Sequence, residues 1–382
     1  MNKESNDLGL VMSGGGARAA YQVGFLRGLA HHQKDIHFPI ITGVSAGAIN
    51  AAYLANETGS FFNKIENLSK IWAGLTMNHV FRVDTPSIAM HAGGWALRLV
   101  MGRASKQVKV RAMVDTDPLR TLLEGILRPE YGRLTGIEAN IASGDLKGIA
   151  LTASNYSTGQ SISWVQGENV KHWERAHRKS VKSDIRVKHI MASASLPLFF
   201  PAVKVGGSWY GDGGIRMTAP LSPAIHVGAR RILAISTRYL PTAEEQGTNM
   251  IDHYPPPAQV VGAMFNAIFL DVFDNDALRL ERINSLIRNR PEAERNELEP
   301  VKLLLLRPSQ NLGKMANQFE PNLPRTFRFM TRGLGTKETR SNDLLSMVMF
   351  QQDYISHLLE LGYKDAEARM DEIDAFFDEK SE

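Results

Sequence analysis

Short apolar runs bounded by glycine or proline alternate along this chain with longer stretches of helical periodicity. Leu8-Gly9-Leu10-Val11-Met12 is the first such run and predicts a buried strand, with a helix following through about Ala30. Pro39 to Thr42 is short and β-branched, so it predicts a second strand, and the alanine-rich stretch Ala46 to Leu54 a packed helix. Further helices are expected over Phe61 to Gly74, from Asp117 (Asp as N-cap, Pro118 in the first turn), and over Ala219 to Val227. Gly148 to Ser154 and the alternating Gly159 to Val165 read as strands. Ala202 to Val205, Gly206-Gly207 and Ser208 to Tyr210 read as a hairpin. Ile232 to Ser236 and Val301 to Leu306 are strand-like. One long helical stretch is expected over about Val260 to Ile287, and others from Asn342 into the tail. Strands that alternate with helices predict an α/β class: three α/β/α layers around a mostly parallel central sheet. The division expected is a core over 1–240 and a mostly helical extension over 241–382, carrying one strand near 301–306 and packed on the core.

Two basic stretches read less simply. Ala89 to Met101, with Trp95 and the following Arg103, Lys106, Lys109 and Arg111, suits either a membrane surface or, as the preferred reading, a core helix with a basic connector. Lys171 to Lys188, with Trp173, suits either a second anion-facing surface or, as the preferred reading, a solvated helix face.

At 382 residues the chain suffices for one large α/β domain or two ordinary ones, and 43% hydrophobic with 22% charged residues is soluble-globular composition. Cysteine is absent, which excludes disulfides, thiolate metal sites and a cysteine nucleophile. The apolar run after the polar start is too short for a signal peptide, and no run reaches transmembrane length. The expected location is therefore cytoplasmic, with peripheral membrane contact. Charge sharpens that last point. The net charge is +4, yet residues 365–382 hold eight acids against Arg369 and Lys380, and this −6 leaves +10 on the preceding chain. A basic body suits anionic partners such as phospholipid surfaces or nucleic acid, while the acidic tail reads as a solvated helix face.

The chemistry centres on Gly43-Val44-Ser45-Ala46-Gly47, set between a predicted strand and a predicted helix. Gly-x-Ser-x-Gly arises by chance in a chain with 32 glycines, so the strand-before, helix-after context is what makes Ser45 a candidate nucleophile. Such a turn exposes the serine Oγ at a helix N-terminus, where developing negative charge is favoured. Gly14-Gly15-Gly16-Ala17-Arg18, also between strand and helix, offers exposed amides beside a cation. Those amides suit an oxyanion. Gly14-x-Gly16-x-x-Ala19 with Asp35 downstream equally fits a dinucleotide fingerprint, and the motif alone leaves both readings open. Asp212, bracketed by Gly211 and Gly213-Gly214 after the hairpin, has an unobstructed carboxylate. Downstream of it His226, His253 and His357 are the histidines available for a triad, and none sits in a strand-end turn. A dyad in which Asp212 takes the Ser45 proton is the simpler arrangement, provided burial raises the carboxyl pKa.

The blocks Gly14-Gly15-Gly16-Ala17-Arg18, Gly43-Val44-Ser45-Ala46-Gly47, Ala192-Ser193-Ala194-Ser195-Leu196-Pro197 and Asp212-Gly213-Gly214 occur in the order and rough spacing of the patatin-like phospholipases. The chain resembles that family over about residues 8–220. The resemblance implies the patatin-like fold and a serine acyl hydrolase with no metal and no cofactor. It assigns Ser45 as nucleophile, Asp212 as base and the amides of Gly14, Gly15 and Gly16 as oxyanion donors. Arg18 would orient the loop or meet a substrate phosphate. Ala19 replaces a usual glycine and adds only a methyl. The implied partner is a lipid or acyl ester, with no nucleic acid. A catalytically silent lipid-binding protein is the alternative on the same fold. An NAD(P)-binding oxidoreductase is disfavoured, because its fingerprint predicts nothing at Ser45 or Asp212.

Overall fold

The computed structural model describes residues 7–82, 112–242, 244–245, 254–269, 271–291, 295, 298–324, 327–328 and 341–378. The segment Ala89 to Met101 with its basic neighbours, and His253, lie outside these. Ten strands form one sheet: β1 (Leu8–Met12), β2 (Ile40–Val44), β3 (Gly148–Asn155), β4 (Ser161–Gly167), β5 (Glu174–Arg175), β6 (Arg178–Lys182), β7 (Val203–Val205), β8 (Ser208–Asp212), β9 (Arg231–Ile235) and β10 (Lys302–Leu306). The order β10-β9-β1-β2-β3 is parallel throughout. Beyond β3 the sheet turns mixed. β4 and β8 both pair antiparallel with β3, β6 runs parallel to β4, and the pairs β5–β6 and β7–β8 are antiparallel. The parallel strands β1 to β3 are buried along their whole length, as strands covered on both faces must be.

Helices cover both faces. α1 (Ala19–His32), α2 (Ala46–Asn56), α3 (Phe61–Ala73), α4 (Met77–Val80), α5 (Asp117–Leu127) and α6 (Thr135–Ser143) precede β3 in the chain. α7 (Val187–Ser193) and α8 (Ser222–Val227) flank the β7–β8 hairpin. α9 (Pro257–Phe269), α10 (Asp271–Arg288), α11 (Leu312–Phe319), α12 (Asp343–Val348), α13 (Gln352–Ala368) and α14 (Met370–Asp378) complete the described helices. Two apolar clusters result. The larger includes Leu10, Phe25, Ile41, Leu54, Ile149 and Leu306, and the smaller includes Val11, Ile40, Ala224, Ile232, Phe273 and Leu280, on the opposite face of the alternating strands.

Of the later helices, α9 and α11 to α14 join the larger cluster and α10 the smaller. α13 crosses α1 so closely that a Cβ on Gly24 would sit 2.1 Å from the Leu359 carbonyl oxygen, and one on Gly362 2.2 Å from that of Tyr21. Only glycine lets the two backbones meet there. Tyr21 O–H also donates to Asp365 Oδ2 at 2.9 Å, and burial beside that carboxylate pushes the phenol well above its ordinary pKa.

One expectation requires correction. Lys171 to Lys188 is not one helix. Glu174–Arg175 and Arg178–Lys182 are the outermost strands, with Trp173 buried and stacked on His226 at 4.5 Å between ring centroids. Lysine and arginine are common on edge strands because they discourage further pairing, so their density imitated a solvated helix face. The stretch Val260 to Ile287 is helical at each of its described residues, as Pro257–Phe269 and Asp271–Arg288, and Asp274 in the latter pairs with Arg238 and Arg307.

Candidate active site

β2 runs directly into α2, and Ser45 stands at the junction with φ 57° and ψ −131°. A non-glycine residue held there is strained, and the packing around it explains why it stays. A Cβ on Gly47 would lie 2.4 Å from Ser13 O, and one on Gly43 2.3 Å from Gly47 O. The strand, the turn and the helix therefore pass at backbone contact. Ser45 N–H donates to Ser193 Oγ at 3.0 Å, and Ser193 Oγ donates to Thr152 O at 2.6 Å, which fixes the peptide of Ser45 itself.

The glycine loop approaches from β1. A Cβ on Gly14 would be 2.9 Å from Ser45 Cβ, so the loop lies against the serine. Gly15 (φ 148°) and Gly16 (φ 58°) adopt backbone conformations that favour glycine. Gly14 O accepts from Thr237 Oγ1 at 2.7 Å and Gly15 O accepts from Arg18 N–H at 3.2 Å. A trans peptide points its N–H opposite to its C=O, so the amides of Gly15 and Gly16 are turned away from those partners. With the Ala46 N–H at the start of α2, they are the available oxyanion donors. Under the loop, Gln22 Nε2 donates to Ser13 O and Ile235 O, Asn50 Nδ2 donates to Gln22 Oε1, and Trp72 Nε1 donates to Asn50 Oδ1. This buried chain ties α1, α2 and α3 to the β1 end.

Asp212 arrives from the other direction, at the end of β8. Its N–H donates to Ser195 O at 3.0 Å, its C=O accepts from Ser154 Oγ at 2.8 Å, and Oδ1 accepts from Gly214 N–H at 2.9 Å. The residue is fully buried, and Oδ2 has no well-aligned partner of its own. Burial raises its pKa to about 7, against the pull of the Ser45 hydroxyl and of the Gly214 N–H toward the ionised form. The structure thus brings Ser45, Asp212 and the Gly14 to Gly16 loop into one site.

Arg18 goes elsewhere. Its buried guanidinium donates from Nε to Ser346 Oγ at 2.7 Å and pairs with Asp343 Oδ1 at 2.5 Å. Of the two roles expected for it, orienting the loop is the one this geometry suits, because a buried, doubly engaged guanidinium is not presented to a phosphate. His226 is half-buried against Trp173, and His357 is exposed beside Phe319.

Two residues of the Ala192-Ser193-Ala194-Ser195 block do work that the sequence did not reveal. Ser193 holds the N–H of Ser45 and Ser195 that of Asp212, so one short segment aligns both catalytic candidates. Ser45, Ala46 and Gly16 share the wall of a narrow, almost wholly apolar pocket with Ile49, Leu68, Trp72, Leu123, Leu196 and Phe350. Among the described residues no His, Asp or Glu cluster could hold a metal ion, and no helix is long and apolar enough to cross a membrane.

A family model described as patatin-like phospholipase matches residues 10–225, more than half of the chain. The chain belongs to this family. All four motif blocks fall inside the matched segment, whereas Asp343 and Ser346 lie far beyond it. No curated protein sequence matches the chain. Among solved structures, human GIVD cytosolic phospholipase A2 with methyl gamma-linolenyl fluorophosphonate is similar at 13% identity and a TM-score of 0.49, over 98% of this chain and 60% of that one. VipD from Legionella pneumophila is similar at 13% identity and a TM-score of 0.40, over 96% of this chain and 67% of that one. Full-length ExoU from the type III secretion system of Pseudomonas aeruginosa, solved with SpcU, is similar at 16% identity and a TM-score of 0.26, over 62% and 45%. This patatin-like chain thus spans about 60% of the length of the human phospholipase.

Proposed function

We propose that this chain is a serine acyl hydrolase that cleaves fatty-acyl esters of lipids, with Ser45 as nucleophile and Asp212 as general base. The observation that carries the proposal is the pairing of opposites at one point. A serine in a strained turn (φ 57°) lies within hydrogen-bonding influence of a fully buried carboxyl whose pKa is raised to about 7. A base with a pKa near neutrality can both take and return a proton at physiological pH.

In the first half-reaction Ser45 Oγ attacks the ester carbonyl carbon while Asp212 accepts the hydroxyl proton. The carbonyl oxygen becomes an oxyanion held by the Gly15, Gly16 and Ala46 N–H groups. As the tetrahedral intermediate collapses, the C–O bond to the alcohol breaks and Asp212 returns the proton to the departing oxygen. An acyl-Ser45 ester remains. Water then attacks it, Asp212 takes one water proton, and collapse releases the fatty acid as the proton passes back to Ser45. The apolar pocket beside Ser45 takes the acyl chain, since a surface of Ile49, Leu68, Trp72 and Leu123 rewards apolar contact and offers a headgroup no partner.

The test is hydrolysis of a short-chain chromogenic acyl ester by the wild type and by Ser45→Ala. Turnover in the first and none in the second is expected. Equal turnover in both would remove Ser45 from the mechanism.

A further inference from the structure

Asp343 touches both approaches to the site. Its Oδ1 pairs with the buried guanidinium of Arg18, immediately after the glycine loop, at 2.5 Å. Its Oδ2 accepts from Asn266 Nδ2 of α9 at 2.8 Å. Three residues past Asn266, the Phe269 ring fills the space that a Cβ on Gly214 would occupy, 2.1 Å from Cδ1, and Gly214 N–H is the donor to Asp212. On the loop side, a Cβ on Gly16 would meet Met347 O of α12 at 2.0 Å, so α12 lies on the loop backbone itself. Ser346 completes the junction, accepting from Arg18 Nε and donating to Asp343 O at 2.6 Å.

We infer that Asp343 is a positioning residue for the hydrolytic reaction, a hub that sets the oxyanion loop through Arg18 and the base turn through Asn266 and Phe269. The inference rests on the hydrolase reading above. It places part of the machinery more than a hundred residues beyond the segment that matches the family model. A buried arginine needs a counter-charge, and a partner on the surface would satisfy that need without fixing geometry. Here the partner sits on a helix in backbone contact with the loop and bonded to the helix behind Gly214. Displacing it therefore moves the donors and the base relative to Ser45. Misplacements of about 1 Å at a reacting centre reduce turnover by ~100-fold.

The experiment compares the wild type, Asp343→Asn and the charge-free double variant Arg18→Met/Asp343→Leu on a soluble chromogenic ester, with thermal unfolding followed in parallel. The expected result is kcat reduced ~10- to 100-fold in both variants with KM within about twofold, and a cooperative unfolding transition retained by the double variant, in which no buried charge lacks a partner. A folded double variant with wild-type kcat would overturn the inference, and so would a loss carried by KM alone. If neither variant folds, Asn266→Ala and Ser346→Ala each remove one bond to the same hub. A kcat loss in both with KM unchanged supports the inference, and wild-type kcat in both overturns it. A wild type without esterase activity would overturn the hydrolase reading, and this inference with it, a result distinct from every variant outcome.

Discussion

Ser45 and Asp212 both stand at a strand end, just before a helical turn and among glycines, yet the fold holds them by different means. The serine is held by shape. Its backbone is left-handed, and the glycines at 14, 43 and 47 face backbone or the serine's own Cβ at distances no side chain allows. The aspartate is held by environment. Its backbone is unstrained (φ −49°, ψ 130°), its N–H and C=O are both bonded, and what is unusual about it is complete burial of a carboxyl with one oxygen poorly satisfied. A nucleophile needs a fixed direction of attack, which sterics supply. A base needs an adjustable proton affinity, which desolvation supplies.

The strongest test removes each partner. Asp212→Asn and Ser45→Ala are each expected to lower kcat at least ~1000-fold while leaving the fold intact, measured on a soluble ester. If Asp212→Asn keeps a tenth of the activity, the base lies elsewhere and the comparison fails.

Next come the glycines. Gly47→Ala is expected to destabilise by ~3 kcal/mol or more, because the added carbon meets the carbonyl oxygens of Ser13 and Met12, which cannot withdraw. Gly214→Ala meets side chains rather than backbone, the buried Phe269 ring and Asp212 Oδ1 at 3.3 Å, and should be milder by about 1–2 kcal/mol in chemical denaturation. Equal effects would mean that the base turn is as tightly shaped as the serine turn.

Stability against pH separates the two residues more finely. The Asp212 pKa is about 7 in the folded chain and near its ordinary 3.8 when unfolded, so the folded state binds the proton more tightly. Its contribution to stability is fully present below the unfolded value and is lost as pH rises through 7. Asp212→Asn should therefore unfold at an increasingly higher temperature than the wild type between pH 4 and pH 7, with a constant difference above that. Ser45→Gly, which relieves backbone strain, should gain roughly 1 kcal/mol at every pH. A strongly pH-dependent gain for Ser45→Gly would contradict the division between shape and environment. The acid limb of kcat/KM should fall near the same pH of about 7.

The smallest loss of turnover is expected at Ser193→Ala, which leaves Ser45 N–H and Thr152 O without their shared partner. A loss of about 1–2 kcal/mol, with a several-fold drop in kcat, is expected from calorimetry and kinetics together.

Much of the fold was legible because local pattern and tertiary structure agree. Leu8 to Met12 is the strand its apolar run predicts, and Phe61 to Ala73 is the expected helix to within a residue. The two strands of 174–182 were not legible, since edge strands and solvated helices select the same charged residues. At the site, the spacing of the motif blocks pointed to Ser45, Asp212 and the glycine loop as candidates. It could not show that the hydroxyl of Ser193 and the carbonyl of Ser195 serve two different residues, because serine in a small-residue run also suits plain packing. Nor could it show where Arg18 points. Its partner is 325 positions away in sequence, and no periodicity links residues so separated.

That separation has a consequence for the order in which the polypeptide is made. The residues proposed to break the ester have all been translated by position 212, but the helix in contact with Gly16 is finished only at Val348. A chain emerging from the ribosome thus carries Ser45 and Asp212 for well over a hundred further residues before the loop beside them meets that helix. A lipid hydrolase built this way would gain its full reactivity only once the chain has been translated past Val348.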